Sequence, residues 1–189
     1  MLKDLILKNR SYRRFQQSYP VKRATLEELV ELARYSPSAA NQQPLKYYIS
    51  YAADKNAQIF PLLAWAGYLK DWGGPAEGER PSAYIIILGD TKIKTNFGLD
   101  PGIAAQSIML GASEKGLGGC MIASIKRQEL QQLLNLPESM EVILVLALGK
   151  PAEEVVVEDV GAEGDIKYYR DLEGRHHVPK RKLPELIIN

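Results

Sequence analysis

The chain has 189 residues, which is enough for one domain that buries a core without disulfides or a structural metal. Hydrophobic residues make up 46% and charged residues 25%, and the net charge of +1 argues against partners such as nucleic acid or an anionic membrane. The single cysteine, Cys120, excludes an intramolecular disulfide; no apolar run could cross a bilayer, and charges interrupt the N-terminal segment, so we expect a cytoplasmic protein.

The N-terminal part of the sequence predicts two helices, a loop and a strand. The first nine residues place apolar side chains on one helical face and lead into the basic stretch RSYRRF at 10–15. Thr25 and Glu28 have the spacing of a capping box, which predicts that a second helix starts at Thr25. That helix ends before the polar loop SPSAANQQP at 36–44, and the strand LKYYISY follows at 45–51.

The middle of the sequence predicts further helices and a buried strand. Residues 54–72 look helical, and Pro61 predicts a break or kink within them. The continuous apolar run AYIIILG at 83–89 is typical of a strand that is covered on both faces. Asp100, followed by a proline, predicts a capped helix start, and Gly116 suits the left-handed cap at the end of that helix.

The C-terminal part predicts a second buried strand and a tail of different character. CMIAS at 120–124 is a short strand or loop, a polar helix covers 126–134, and EVILVLALG at 141–149 is the second apolar strand. From 152 the tail is acidic and then basic and aromatic, and DLEG at 171–174 can close a small hairpin. The mixed order of helices and strands favours an α+β or α/β single domain.

The usual fingerprints of nucleotide and hydrolase sites are absent from the sequence. There is no GxGxxG, no Walker loop and no GxSxG elbow. His176 and His177 would point to opposite faces of a strand, so we expect an exposed pair rather than a metal site. For Cys120 a buried structural thiol is favoured over a nucleophile, because no base is suggested nearby.

Four short motifs could bind a ligand, and each also has a purely structural explanation. The arginines of 10–15 suit phosphate, or they form a solvated basic turn; the basic run 180–182 suits phosphate or solubility. The amides of 36–44 could bind the edge of a heterocycle, or they simply end a helix. GLGG at 116–119 could let the backbone approach a flat ring, or cap a helix.

Taken in this order, RSYRRF, SPSAANQQP, GLGGCMIAS and PKRKLP resemble the nitroreductase family of FMN enzymes, over about Met1 to Leu186. The resemblance implies an α+β fold with a central, mainly antiparallel sheet flanked by helices, in an intertwined homodimer with FMN at the subunit interface. It implies a single FMN-binding domain over 1–189, in which residues 152–189 form a C-terminal extension that completes the FMN site and the dimer.

The resemblance also implies roles for individual residues. Arg10 and Ser11 match the motif that wraps the phosphate and ribityl chain, and Arg13 would lie near the pyrimidine end of the ring and stabilise reduced flavin. The other implied contacts are Pro37, Ser38, Ala39, Asn41 and Gln43 from the partner subunit, Met121, Ile122, Ala123 and Ser124 beside the reactive ring nitrogen, and Lys180 and Lys182 at the phosphate.

By the same resemblance, NADH or NADPH would reduce FMN by hydride transfer, and the reduced flavin would then reduce a nitroaromatic, quinone or similar acceptor in a ping-pong scheme. No side-chain acid or base is required. Trp65, Tyr68 and Trp72 either stack on acceptors or belong to the core.

Three alternatives differ from this function. One is a flavin-binding or storage protein without turnover. Another is a dehalogenase-like or flavin-fragmenting enzyme of the same fold, against which the short glycine-rich segment 73–81 argues, because such enzymes need a lid. The third is a plain α/β binding domain with accidental basic motifs.

Overall fold

A four-stranded antiparallel sheet forms the centre of the computed structural model, which describes residues 1–188. In sequence order the strands are β1 (Leu45–Ser50), β2 (Ala83–Asp90), β3 (Gly118–Ile122) and β4 (Met140–Gly149). In space they follow the order β1-β2-β4-β3, so β2 and β4 occupy the middle. Since helices pack on both faces, the architecture is α+β, which confirms the predicted fold class.

The two central strands are those with continuous apolar sequences. Every residue of β2 is buried, and so are the last five residues of β4. Ile85 of β2 lies opposite Leu146 of β4, and successive side chains alternate between two cores, one on each face. Because both faces are covered, neither strand shows the apolar–polar alternation of a half-exposed sheet.

Five α-helices accompany the sheet. They are α1 (Leu2–Lys8), α2 (Arg23–Arg34), α3 (Ala53–Ile59), α4 (Asp100–Glu114) and α5 (Arg127–Leu133). Leu29 of α2 and Ile108 of α4 belong to one core, and Ile59 of α3 and Leu130 of α5 belong to the other. Within residues 1–188, no helix has the length and apolar content that spanning a bilayer requires.

Two helices begin differently from the sequence prediction. α2 starts at Arg23 rather than at Thr25, and the carboxylate of Glu28 pairs with Lys115 instead of closing a capping box. Asp100 is already the first helical residue of α4, and its carboxylate turns to a neighbouring loop rather than capping the helix. In both cases the carboxylate that would have capped the helix binds a partner from another part of the chain instead.

The predicted helical segment 54–72 is correct only as far as Pro61. α3 ends at Ile59, and after one 3-10 turn (Phe60–Leu62) this fully described stretch contains no further helix before β2. The chain instead folds onto the core as a loop, in which Ala66 is buried and has a left-handed φ of 40°. The apolar spacing therefore reflects the packing of a loop rather than one face of a helix.

The C-terminal extension forms a second, three-stranded sheet. Its strands are β5 (Val155–Asp159), β6 (Tyr169–Arg170) and β7 (His176–Lys180), in the order β5-β7-β6. β6 and β7 are antiparallel, so the predicted hairpin at 171–174 is confirmed, whereas β5 and β7 are parallel. This sheet carries the C-terminal basic run to the N-terminal arginine motif.

Candidate functional site

The N-terminal basic motif is held against the edge of the central sheet. Ser11 forms a parallel bridge with Gly119 of β3, and the amide of Tyr12 donates to the Gly119 carbonyl over 2.9 Å. A side chain on Gly118 would come within 2.5 Å of the Tyr12 ring, and one on Gly119 would overlap the Ala147 carbonyl. These two glycines therefore permit close packing of the motif, not the approach of a flat ring.

Gly116, the first glycine of the GLGG stretch at 116–119, caps α4, as the sequence predicted. Gly116 has a left-handed φ of 70°, which costs glycine little. The amides of Gly116 and Leu117 donate to the carbonyls of Ser113 and Ala112, over 3.1 and 2.9 Å. This pattern is a Schellman cap, so the stretch 116–119 serves helix termination and strand packing.

Arg13 is buried, with 8% of its surface exposed, and joins the two ends of the chain. Its Nη1 donates to Nε2 of His176 over 2.9 Å and to the carbonyl of Ser11 over 3.3 Å. The guanidinium also lies 4.6 Å above the centre of the Tyr168 ring, which is favourable for a cation. Arg13 thus contacts the C-terminal extension over a separation of more than 150 residues.

Glu153 holds the backbone beside this buried arginine. Its side chain is only 1% exposed, and it accepts hydrogen bonds from the backbone amides of Arg13 and Arg14. Its other oxygen pairs with the guanidinium of Arg170 over 3.0 Å. Through these contacts Glu153 fixes the backbone of the basic motif.

The two adjacent histidines behave differently, and the predicted exposed pair is wrong, because His176 is buried and the side chain of His177 is only 14% exposed. His176 is fully buried; burial, followed by the charge of Arg13, lowers its pKa to about 4, so the ring is neutral near pH 7. His177 lies between Glu158 and Asp171, at 2.9 and 3.1 Å, and hydrogen bonds to these carboxylates raise its pKa. Strand alternation points the rings to opposite faces, as predicted, and only one face is closed by Arg13.

A cavity of about 390 Å³ opens beside Arg13, and we call it the basic cavity. It is lined by Asn9, Arg10, Ser11, Arg13, Gln106, Met109, Met121, Tyr168, His176, Val178 and Lys180. Three of these side chains are cationic and none is acidic. Arg13 Nε and His176 Nδ1 are inaccessible to solvent and lack partners among residues 1–188. Because Nε2 of His176 accepts from Arg13, its Nδ1 carries the proton, so both unpaired atoms are donors.

A second cavity of about 200 Å³ adjoins the first, and we call it the strand-end cavity. It shares Arg13 and Met121 with the basic cavity and extends along the end of β3 to Ile122, Ala123 and Ser124. Trp65 also lines it, and its indole nitrogen is buried without a partner in the described chain. The two cavities together have cationic side chains in the basic cavity and the end of β3 in the strand-end cavity.

Cys120 lies under the strand-end cavity and behaves as the buried thiol that the sequence predicted. Only 5% of its surface is exposed, and burial raises its pKa. A thiol with a raised pKa is a weak nucleophile at neutral pH. The cysteine therefore belongs to the core and supplies no reactive group.

The loop over residues 37–43, called the 37–43 loop, lies apart from both cavities. Asp100 at the start of α4 holds it, accepting from Ser38 Oγ at 2.7 Å and from the Ala39 amide at 3.1 Å. Burial opposes ionisation of Asp100, but these two hydrogen bonds outweigh it and lower the pKa. Ala40, Asn41 and Gln43 all have left-handed φ angles near 50°. Such strain in three non-glycine residues is typical of a functional segment.

The structure therefore brings together some of the predicted site residues and not others. Seven of them line the basic or strand-end cavity in addition to Arg13 and Lys180, namely Arg10, Ser11, Trp65, Met121, Ile122, Ala123 and Ser124. Pro37, Ser38 and Gln43 line a separate cavity of about 260 Å³ near α2 and α4. Lys182, Tyr68 and Trp72 line neither of the first two cavities: Lys182 precedes an exposed 3-10 turn (Leu183–Glu185), Tyr68 packs on Tyr168, and Trp72 lies under Arg170.

Sequence reasoning missed three residues that shape this site. His176 was expected on the surface, and Tyr168 and Glu153 were not singled out. The adjacent histidines gave one usable signal: on a strand their side chains point to opposite faces, so one ring had to face inwards. Nothing local in the sequence shows that Arg13 packs against that face, because the contact joins distant segments.

Comparisons with known proteins agree with this geometry. The sequence profile described as "Nitroreductase family" matches residues 6–73 and 78–150. A relative from Bacillus subtilis, named "Putative NAD(P)H nitroreductase YodC", is 22% identical over 177 residues. The match covers 78% of this chain and 88% of YodC.

Solved structures with the same fold are also found. A nitroreductase family protein from Streptococcus pneumoniae superposes with a TM-score of 0.68 at 16% identity, covering 82% of this chain and 92% of that protein. An FMN-dependent nitroreductase from Clostridium difficile superposes with a TM-score of 0.64 at 22% identity, covering 79% and 87%. At these identities the two structures show the shared fold alone.

Proposed function

Because this chain belongs to the nitroreductase family, we propose that it is an FMN-dependent oxidoreductase that uses NADH or NADPH to reduce a nitroaromatic, quinone or related acceptor. The observation that carries the proposal is the basic cavity, with three cationic side chains, no acidic one and two buried donors without partners. A ligand that offers a phosphate and a ring rich in acceptors satisfies these groups, and FMN offers both.

Within that cavity, Arg10 and Lys180 are the cations available for the phosphate, with Ser11 beside them. Arg13 and His176 lie deeper and would face the acceptor edge of the flavin ring. The backbone of Met121, Ile122, Ala123 and Ser124 would pass along the ring in the strand-end cavity. Lys182, assigned to the phosphate by resemblance, does not line the basic cavity, whereas Lys180 does, so Lys180 has the stronger structural support.

We further propose that the protein is a homodimer in which the 37–43 loop of one protomer reaches the flavin of the other. α4 connects the two regions: Asp100 at its start holds the loop, whereas Gln106 and Met109 line the basic cavity. Packing α4 against its own copy about a twofold axis would bring the loop of one chain towards the cavity of the other. Asn41 and Gln43 would then offer their side-chain amides to the ring.

Bound FMN would supply the redox chemistry, as hydride acceptor from NAD(P)H and as electron donor to the second substrate, and Arg10, Ser11, Arg13 and Lys180 would hold it. The protein holds a permanent positive charge at Arg13, next to the place where reduction adds negative charge. Contacts with His176, Ser11 and Tyr168 hold that charge in place. No protein acid or base is needed, in keeping with the buried thiol of Cys120.

The aromatic residues proposed for acceptor stacking differ in how well they are placed. Trp65 lines the strand-end cavity and is also part of the core, so both predicted roles fit it. Tyr68 is half exposed and its ring lies 4.9 Å from Tyr168, at the rim of the basic cavity. Trp72 is covered by the Arg170 guanidinium at 4.2 Å, which favours a structural role.

The proposed function is tested by an anaerobic titration of the FMN-loaded protein with NADH and with NADPH, followed by visible absorbance. Flavin bands that bleach and return when a quinone is added are the expected result. Bands that persist with both donors would favour a storage protein or a dehalogenase-like reaction. A protein that retains no FMN would contradict the proposal altogether.

The phosphate assignment is tested by the variants Arg10→Ala and Lys180→Ala. Each removes a charged contact worth about 1.5–3 kcal/mol, so we expect FMN affinity to fall roughly 10- to 100-fold in each. Arg14→Ala is the matched control, because Arg14 pairs with Glu79 and lines neither cavity. Lys182→Ala is measured alongside: a loss as large as that of Lys180→Ala would restore the assignment made by resemblance. Unchanged affinity in the Arg10 and Lys180 variants would refute the phosphate site.

A further inference from the structure

A third cavity, of about 320 Å³, lies where β1 ends and β2 begins, and we call it the Tyr84 cavity. Its walls come from residues 17–20, from α3 with Phe60, and from residues 80–84. It shares no lining residue with the basic cavity or the strand-end cavity. Any ligand of the Tyr84 cavity is therefore held by groups that play no part in the proposed flavin site.

Three polar groups in this cavity have no partner among residues 1–188: Arg80 Nε, Ser82 Oγ and Tyr84 Oη. All three atoms are inaccessible to solvent, and Tyr84 as a whole is fully buried. Ser82 and Tyr84 point to the same side because alternate residues of an extended segment share a face. Each of the three groups can donate a hydrogen bond, so the cavity has an unused set of donors.

Asn56 is the other buried polar side chain of this cavity. Unlike the three groups above, both its side-chain oxygen and its side-chain nitrogen have a hydrogen-bond partner in the protein. Its Oδ1 accepts from Ser50 Oγ and its Nδ2 donates to the Ser82 carbonyl, both over 2.7 Å. These bonds tie α3 to the end of β1 and to the chain before β2. Asn56 therefore shapes the cavity and leaves the three donors as the groups that can bind a ligand.

The charge of the cavity is positive. Arg80 is its only cationic lining residue, and none of its lining residues is acidic. Within the described chain, no carboxylate lies within 4 Å of the Arg80 guanidinium. The group instead lies 4.4 Å over the Phe60 ring. An arginine that stacks on a ring keeps its N–H edge free for a carboxylate.

The cavity is also built before any ligand arrives. Oε1 of Gln17 accepts from the amides of Gly78 and Arg80, over 2.7 and 3.2 Å, which fixes the turn that carries Arg80. Tyr51 also lines the cavity and gives it a flat apolar surface. A preformed pocket of this volume, mostly apolar with a few convergent donors, is typical of small-molecule sites.

From these observations we propose that the Tyr84 cavity binds a small planar aromatic or heteroaromatic carboxylate. The carboxylate would accept hydrogen bonds from Tyr84, Ser82 and Arg80, and the ring would pack against the Tyr51 side chain. The site is separate from the flavin site, and its occupation requires no redox step.

The probe for this site is benzoate, measured by calorimetry and by the amide NMR spectrum of the FMN-loaded protein. We expect saturable binding with shifts at the amides of residues 80–84. Benzamide, which has the same shape without the charge, should bind at least tenfold more weakly. No saturable binding of benzoate, or equal binding of benzamide, would overturn the proposal, and so would shifts confined to residues 121–124, which would place benzoate beside the flavin.

The variant Tyr84→Phe removes one donor and should weaken benzoate binding about tenfold. Tyr48→Phe is the matched control, since Tyr48 packs on the same face of the sheet but does not line the cavity. Because the Tyr84 hydroxyl has no protein partner to lose, Tyr84→Phe should fold with an unchanged or higher Tm. Equal benzoate affinity in Tyr84→Phe and Tyr48→Phe would refute the role of this hydroxyl and with it the site. Bleaching by NAD(P)H, measured in parallel, separates this outcome from failure of the proposed function.

Discussion

Arg13 and His176 show how a single pair of side chains can set the electrostatics of a cavity. Burial of the imidazole, followed by the charge of Arg13, lowers the pKa of His176 and disfavours a second positive charge there. The ring is therefore a neutral acceptor that orients the guanidinium. Glu153 accepts from the backbone amides of Arg13 and Arg14 and does not line the cavity, so the charged side chains of the lining are all cationic.

This arrangement predicts a pH dependence of stability. The pKa of His176 is about 4 when folded and about 6.5 when unfolded, so between these values the unfolded chain binds more protons. Stability should therefore rise with pH over this window and be lost as pH falls from 6.5 towards 4. Over the range from pH 5 to 7.5, this difference in pKa corresponds to a change of about 1–2 kcal/mol in the free energy of unfolding. Urea unfolding of the flavin-free protein at the two pH values measures this difference.

His176→Gln should abolish that rise, and His177→Gln provides the opposite control. The folded pKa of His177 is raised, so its contribution is present below 6.5 and is lost as pH rises through the folded pKa. Removing it should make the rise in stability between pH 5 and 7.5 steeper. If wild type and His176→Gln show the same pH dependence, the buried neutral histidine is refuted.

At the scale of elements, the site depends on the contact between the arginine motif and β3. Gly119 permits that contact, and any side chain there would meet the Ala147 carbonyl of β4. The bridge from Ser11 to Gly119 then sets where Arg10 and Arg13 lie. A small change in β3 should therefore reach the cavity even though Gly119 does not line it.

We expect Gly119→Ala to destabilise the fold by about 1–3 kcal/mol, because the added methyl group overpacks the sheet. FMN affinity should fall with it. Gly102→Ala is the matched control: a side chain at Gly102 on α4 meets nothing within 4 Å, so the helix should gain about 0.5–1 kcal/mol. Chemical denaturation compares the two. Equal effects on stability would show that the close approach at Gly119 is not what the glycine provides.

Some helices and strands could be predicted from the sequence, and some of their boundaries could not. β2 and β4 followed from their apolar runs, because a strand buried on both faces is fixed by composition alone. The end of α4 followed from Gly116, since a left-handed cap is a local requirement. Thr25 and Asp100 were wrong as caps, because the decisive partners of Glu28 and Asp100 come from other elements.

Of the residues of the candidate site, likewise, some could be predicted from the sequence and others could not. Arg10, Ser11 and Lys180 were predicted from motif order, and the structure brings them into one cavity. His176 could not be assigned, because its environment is set by Arg13, which lies far away in the sequence. Whether the 37–43 loop reaches a flavin depends on a second subunit and stays a prediction.

At the scale of the whole molecule, exposed apolar side chains collect on the helices beside the 37–43 loop. Ile6 of α1, Leu32 of α2 and Ile103 of α4 are all more than one-third exposed, and α4 packs against both other helices. Leu99, directly before α4, is 81% exposed. Apolar groups concentrated in this way are typical of a subunit interface.

Ile103→Glu should therefore dissociate the proposed homodimer, because it buries a charge in an apolar contact. Sedimentation velocity should show a monomer, and FMN should be retained less well. Ile93→Glu is the control, since Ile93 is similarly exposed but lies in the turn after β2. A wild-type protein that sediments as a monomer would contradict the dimer, and a dimeric Ile103→Glu would place the interface elsewhere.

The contact between Arg13 and His176 also has a consequence for how the protein is made. A ribosome adds about 5–20 residues per second, and the N-terminal motif emerges long before the strand that completes its cavity. During that interval Arg13 has neither Glu153 nor His176 beside it. The basic cavity is thus one of the last features to assemble in a newly made chain, and binding of the proposed FMN would have to follow synthesis of the C-terminal sheet.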